Sequence, residues 1–188
     1  MAQHTEPEAA LLRRYSRGVK HAVEIGVAEG GSACEIRQVI DPNGTLYLID
    51  PYPPGMLCGM SMTRTIARRL VNKVRRGSVI WDQRYSHEAA RDWRGEVDFL
   101  FIDGDHSYDA VRRDWQDWTP HVRGGGVVAM HDAFVTASGR VGVEDGPALI
   151  VAEATKTVDW ELVDGADSLA ILRRVNRGDQ TDPAQSST

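Results

Sequence analysis

Phe99-Leu100-Phe101-Ile102 runs without a polar residue straight into Asp103-Gly104-Asp105-His106. A short apolar run bounded by polar residues fits a strand buried on both faces, and hence a parallel sheet covered by helices on each side. The event repeats at Val127-Val128-Ala129-Met130, which leads into His131-Asp132. Ligands of open α/β sheets bind beyond the carboxyl ends of the strands. Two buried strands that both end in carboxylate and imidazole can therefore frame one site between them.

The remaining pattern agrees with that architecture. A short amphipathic helix is expected over Glu8–Arg17, with Leu11, Leu12 and Tyr15 on one face. Strands are expected at 21–25, 45–49, 78–81 and from Phe99, with Ser32 as N-cap of a helix to about Ile40. Basic residues between Arg64 and Arg76 read as the solvated face of a helix. Further helices fit 86–93, 108–118 and from Pro147 to about Thr155, with Gly124-Gly125-Gly126 as a break before a strand at 127–130. Trp160–Val163 and Leu169–Leu172, joined by Asp164-Gly165, read as a closing antiparallel pair. Alternating strands and helices give an α/β fold, doubly wound and mostly parallel with an antiparallel edge. One domain is expected over residues 1–176, with a polar, disordered tail at 177–188.

Composition narrows the function. A chain of 188 residues with net charge −5 carries no electrostatic footprint for nucleic acid. Cys34 and Cys58 do not make a disulfide framework, and no run is apolar enough to span a membrane. The polar start carries no secretory signal pattern, so the cytoplasm is the expected compartment.

Gly26-Val27-Ala28-Glu29-Gly30-Gly31 follows the first strand, and Asp50 ends the second. A glycine turn lets a ligand approach the backbone closely, and a carboxylate about 20 residues further on can accept from ribose hydroxyls. Alanine at 28 stands where a dinucleotide fingerprint has its second glycine, and no tyrosine has a lysine four residues on. A nucleoside ligand without pyrophosphate fits better than a nicotinamide dinucleotide.

Val23-Glu24-Ile25-Gly26-Val27-Ala28-Glu29-Gly30-Gly31-Ser32 resembles motif I of class I S-adenosylmethionine-dependent methyltransferases. Phe101–Tyr108 together with Gly125–Asp132 resembles the small metal-dependent O-methyltransferases related to macrocin and mycinamicin sugar O-methyltransferases and to mycobacterial mannoside methyltransferases. Catechol O-methyltransferase is more distantly similar. The resemblance spans about residues 20–174 and implies a Rossmann-like seven-stranded sheet whose last strand is antiparallel.

By that resemblance Glu24, Gly26, Gly30 and Ser32 line the methionine part of S-adenosylmethionine, Asp50 holds the ribose, and Ser86 lies in the adenine-side loop. Asp103 borders the cofactor and is the first metal ligand, with His131 and Asp132 in the positions of the second and third. His106 takes the place of the general base. The implied ion is Mg²⁺, or Mn²⁺ because His131 replaces the oxygen ligand usual there. The implied acceptor is a small molecule or oligosaccharide with a sugar hydroxyl, with neither nucleic acid nor membrane as partner and a homo-oligomer left open.

Other readings of these residues stand beside this one. Asp105 could only cap the helix that follows, and His106 could be a hydrogen-bonded loop residue. His87 and His121 read as surface residues, Trp115 and Trp118 as packing, and Met56, Met60 and Met62 as an apolar lid or as filler. A phenolic or catechol-like acceptor, a metal-dependent hydrolase using Asp103, Asp105, His106, His131 and Asp132, and a non-catalytic nucleoside-binding module are the competing functions.

Overall fold

The computed structural model describes residues 4–53, 61–133 and 146–176. In chain order these form α1 (Glu6–Tyr15), β1 (His21–Ile25), α2 (Gly31–Arg37), β2 (Thr45–Ile49), α3 (Met62–Val71), β3 (Ser78–Asp82) and α4 (Ser86–Asp92). They continue as β4 (Val97–Ile102), α5 (Tyr108–Trp118), β5 (Val122–Met130), α6 (Gly146–Ala154), β6 (Trp160–Ala166) and β7 (Leu169–Arg174). The strands make one seven-stranded sheet in the order β3-β2-β1-β4-β5-β7-β6. The first five neighbours pair in parallel, and β7 runs antiparallel to both β5 and β6. This is the doubly wound architecture expected.

Alternation along each strand sorts the core into two halves. Phe99 and Phe101 of β4, Val127 and Ala129 of β5 and Leu46 and Leu48 of β2 pack with Leu11, Leu12, Ala33, Ile36 and Val71 of α1, α2 and α3. Leu100 and Ile102, Val128 and Met130 pack on the other face with Ala90, Val111, Trp118, Ile150 and Val151. Both faces of β4 are fully covered, which is why its sequence shows no polar alternation. Trp115 and Trp118 are packing residues, set against Trp160 and Trp93 respectively.

Helix α1 begins and ends two residues earlier than expected, and the turn between β6 and β7 falls at Asp167-Ser168, because Asp164 and Gly165 pair within β6. Other boundaries differ for local reasons. Helix α2 starts at Gly31 behind Gly30, whose φ is +83°, and the Ser32 hydroxyl donates to Glu24 rather than capping the helix. Helix α3 stops at Val71, short of Arg76. The Arg37 guanidinium donates there to the carbonyls of Val71, Arg76 and Gly77 at 2.7, 2.9 and 3.3 Å and holds the turn that follows. Strand β5 starts at Val122, not Val127. The glycine run forms an irregularity within the strand, where a Cβ on Gly126 would lie 2.7 Å from Val122 Cγ1. Cys58, Met56, Met60, the expected loop after Ala133 and the tail beyond Asn176 lie outside the described residues.

The sheet brings β1 and β4 side by side so that the turn after each meets the other. Asp103 N donates to Ile25 O at 2.9 Å, and Gly26 N donates to Ile49 O at 2.9 Å. Gly26 has φ +80°, and a Cβ there would sit 2.1 Å from the Asp103 carbonyl oxygen. Neither a left-handed backbone nor that contact suits a side chain. Gly26→Ala is therefore expected to lower unfolding stability by ~3 kcal/mol or more, as read by urea denaturation, because strain and overpacking add.

Candidate active site

The C-terminal edge of β1, β2 and β4 opens on a cleft of about 510 Å³. Ile25, Gly26 and Ala28 form one wall, Ile49, Asp50 and Pro51 the next, and Asp103, Gly104 and Asp105 the third. Tyr85, Ser86, His87, Arg113 and Asp114 close the far end. The volume is that of a small-molecule site, and its place is the one open α/β sheets use.

Asp50 organises the first wall. Its Oδ2 accepts from Val27 N and Ala28 N at 3.0 and 3.1 Å, and its Oδ1 accepts from Tyr52 N at 2.8 Å. Ala28 and Tyr52 both have positive φ, and the Tyr52 hydroxyl donates to Ala28 O at 3.1 Å. Asp50 thus fixes the glycine turn as well as bordering the cleft, and its lone pairs exceed the three donors it already serves. Glu24, Gly30 and Ser32 are not among the residues that line the cleft. Glu24 is fully buried behind it, with Oε1 accepting from Ser32 Oγ at 2.5 Å and Oε2 without a hydrogen-bond partner among the described residues. Burial, reinforced by Asp103 and Asp50 nearby, raises the Glu24 carboxyl well above the usual carboxylate range.

At the far end the Ser86 hydroxyl donates to Asp114 on α5. Asp114 faces the cleft and is only 6% exposed; burial pushes its carboxyl up to about 6. Nothing in the sequence distinguished Asp114 from the other acids of an amphipathic helix. His87, expected on the surface, lines the cleft with its ring stacked on Tyr85 at 5.8 Å. Asp105 accepts from Ser107 N at 2.8 Å in an Asx turn ahead of α5, whose N-cap is Ser107, so Asp105 does not itself cap the helix as expected.

Asp103 also belongs to a second group of side chains. His131 Nδ1 lies 3.1 Å from Asp103 Oδ1 and 3.3 Å from Asp132 Oδ2, and His106 Nδ1 lies 3.3 Å from Asp132 Oδ2. His106 Nε2 faces Asp103 Oδ1 at 3.7 Å. The expected quartet of Asp103, His106, His131 and Asp132 is thereby brought together. Asp132 reaches the cluster with φ +52°, a conformation that aspartate tolerates better than most residues. Two further members come from the start of the chain. His4 Nε2 lies 3.4 Å from Asp103 Oδ2, and Glu8 Oε1 lies 3.7 Å from His131 Nε2. Neither carries a sequence signal for this role, because Thr5-x-x-Glu8 reads only as a helix start.

The charges in this cluster set one another. Burial opposes ionisation of Asp103, but the imidazoles of His106, His131 and His4 outweigh it and hold its carboxyl far below the usual range. Burial likewise opposes a charged His131, yet Asp103, Asp132 and Glu8 together push it up to about 12. His106 is raised chiefly by Asp103. Asp103, His106 and Asp132 hold donor atoms within 4.8 Å of one another, as do His4, Asp103 and His131, so either set is close enough to share a cation. The chemistry of the donors, mixed carboxylate and imidazole, fits a divalent ion. His131 Nδ1 and His4 Nε2 are both buried without a hydrogen-bond partner among the described residues.

Residues 23–133, more than half of the chain, match the family described as methyltransferase domain. The chain belongs to this family. Its fold is similar to that of a Corynebacterium glutamicum protein, with TM-score 0.71 and 18% identity over 91% of this chain and 82% of that one. It is also similar to the O-methyltransferase of tomaymycin synthesis from Streptomyces achromogenes, solved with S-adenosylmethionine, at TM-score 0.69 and 15% identity over 93% and 82% of the two chains. A putative rRNA methylase from Clostridium thermocellum shares the fold at TM-score 0.65 and 11% identity over 90% and 94%. At these identities the likeness concerns the fold, which serves acceptors of more than one kind.

Asp114 offers a test of the cleft's electrostatics. A carboxyl raised from 3.8 to about 6 on folding binds its proton more tightly in the native state. The stability this confers is complete below the unfolded value and is lost as pH rises through about 6, a change of at most ~3 kcal/mol. Asp114→Asn should keep it. In paired denaturation curves from pH 4 to 7.5, the variant should gain on the parent as pH rises.

Proposed function

We propose that this methyltransferase-family protein transfers the methyl group of S-adenosylmethionine to a sugar hydroxyl, with a divalent cation held beside the cofactor. One observation carries the reading: Asp103 lines the cofactor-sized cleft and is at the same time the centre of the acid–imidazole cluster. A methyl donor in the cleft and an acceptor on the cluster would meet at that residue, and proximity is the main contribution an enzyme can make to such a displacement.

In this reading the nucleoside occupies the cleft between the glycine turn and the Tyr85–His87 end, with Asp50 accepting from ribose hydroxyls. Glu24 would take the amino group through its Oε2, which has no hydrogen-bond partner among the described residues, where the ligand reaches past the wall that buries it. Asp103, with His131 and Asp132, would hold the cation. A bound dication supplies charge that lowers the pKa of a coordinated hydroxyl. His106 accepts the acceptor's proton, the oxygen attacks the methyl carbon in line, and the carbon–sulfur bond breaks with its electron pair going to sulfur. Asp103, and with it Asp132, raises the His106 imidazole above its ordinary value. A cation held on those carboxylates would relieve that rise and leave the ring a better base.

A sugar is favoured over a phenol because the stretches that follow β2 and β5 in sequence, residues 50–61 and 131–145, hold few aromatic residues, Tyr52 and Phe134. Net charge −5 favours a neutral small acceptor over RNA. No described helix is long and apolar enough to cross a membrane, and a cytoplasmic setting is part of the proposal.

Two measurements test it. Calorimetric titration with S-adenosylhomocysteine should show binding, weakened ~10- to 100-fold in Asp50→Ala, the scale of one or two hydrogen bonds to a charged group. Unchanged affinity in that variant would refute the cofactor placement. His106→Ala should bind S-adenosylhomocysteine as the parent does while methyl transfer to saccharide acceptors falls ~10²- to 10⁴-fold, the range for a positioned base. Turnover near the parental value would remove His106 from the mechanism.

A further inference from the structure

The acid–imidazole cluster is completed from the start of the chain, which the methyltransferase match does not reach. We propose that His4 is a metal ligand, and that His4, His131 and Asp103 form a buried site selective for a transition-metal dication of the Co²⁺ and Zn²⁺ kind over Mg²⁺, with Glu8 positioning His131. The inference rests on the metal-dependent reading of the site and adds to it a ligand, a positioning residue and a metal preference.

The geometry begins with what the His131 ring can do. Ser168 Oγ donates to Glu8 Oε1 at 2.6 Å and so has lone pairs free toward His131 Nε2, 3.4 Å away. Nε2 thus carries a hydrogen, facing Ser168 and, behind it, the Glu8 carboxylate at 3.7 Å. Nδ1 points at Asp103 Oδ1 across 3.1 Å. A proton on Nδ1 fills that space while the ring is charged, and a dication can take its place when the ring gives that proton up. Metal-binding histidines have this arrangement, one nitrogen toward the ion and the other fixed by a polar partner backed by a carboxylate.

His4 approaches from the other side. Its side chain is 6% exposed, its ring centroid is 4.6 Å from that of His131, and its Nε2 has no hydrogen-bond partner among the described residues although Asp103 Oδ2 is 3.4 Å away. A buried imidazole with an unmatched nitrogen costs stability unless something engages it. The donor atoms of His4, Asp103 and His131 all lie within 4.8 Å of one another. Their positions are enforced. Thr5, next to His4, caps α1 by accepting from Glu8 N on its hydroxyl, donates its own N–H to Glu8 Oε2 at 2.8 Å, and donates its hydroxyl to Asp167 Oδ2 at 2.6 Å. Two imidazoles beside the carboxylates of Asp103 and Asp132 suit cobalt, zinc and their neighbours, whereas Mg²⁺ is reluctant to exchange oxygen for nitrogen.

The test uses the full chain without a polyhistidine tag, stripped by chelator. Titrating Co²⁺ while following its visible absorption, and Zn²⁺ and Mg²⁺ by calorimetry, should show one equivalent of Co²⁺ or Zn²⁺ bound at least 100-fold more tightly than Mg²⁺. His4→Ala and His4→Gln should each weaken Co²⁺ at least tenfold and change its spectrum. Affinity for S-adenosylhomocysteine and the circular dichroism should stay parental, showing that the fold is kept. Glu8→Gln should weaken Co²⁺ ~10- to 100-fold without altering the number of nitrogen ligands in its spectrum. Parental Co²⁺ affinity and spectrum in both His4 variants, with binding lost in Asp103→Ala, would overturn the assignment of His4 and leave the metal-dependent reading standing. Failure of the parent to bind any of the three ions would overturn both, and would mean that a proton alone fills the space between His131 and Asp103.

Discussion

This end of the sheet is arranged around one carboxylate, that of Asp103, whose side chain is 14% exposed. Asp103 is placed by the pairing of β1 with β4, its N–H tied to Ile25 O and its carbonyl pressed against Gly26. A carboxylate so enclosed is tolerable only when paired. Asp103 meets that requirement with imidazoles from three separate parts of the chain: His4 ahead of α1, His106 in the loop after β4, and His131 after β5. The position of one acid thereby couples the glycine turn, the strand ends and the N-terminal helix.

Strain collects in the same place. Ala28, Tyr52 and Asp132 all have positive φ without being glycine. Each such residue costs on the order of 1–3 kcal/mol and persists only where its surroundings over-determine it. The surroundings do so here. Asp50 holds Ala28 N and Tyr52 N, Tyr52 bonds back to Ala28 O, and Asp132 is drawn toward His106 and His131. Alanine at 28 is thus not a simple loss of the glycine that a dinucleotide would need. The turn keeps the left-handed geometry and uses Asp50 to enforce it.

What was readable in the sequence was what a single strand and its end determine. Phe99–Ile102 and Val127–Met130 announce buried strands, and the acids and histidines that follow them meet because parallel neighbours end on the same edge. Asp50 was legible for the same reason. The residues that escaped reading act across long separations. Glu8 bonds to Ser168 over 160 positions, and Arg37 reaches carbonyls up to 40 positions away. Ser32 looked like a cap because its local pattern allows one. Glu24, buried on the same face of the sheet, takes its hydroxyl instead. Asp114 is one acid among several on an amphipathic helix, and only the packing of α4 against α5 singles it out by supplying Ser86.

The β6–β7 turn shows how the fold makes use of such distant contacts. Ser168 receives Ala133 N on its carbonyl at 2.7 Å, fixing the chain just beyond Asp132, and gives both its N–H and its hydroxyl to Glu8. Its neighbour Asp167 accepts from Thr5. One short turn thus anchors both the end of β5 and the start of α1, the two segments that carry His131 and His4. The antiparallel pair at the edge of the sheet does more than close it. It sets the distance between two imidazoles that the parallel strands alone would leave undefined, so the shape of the cluster depends on the last strands of the domain as much as on the strand ends that bear its acids.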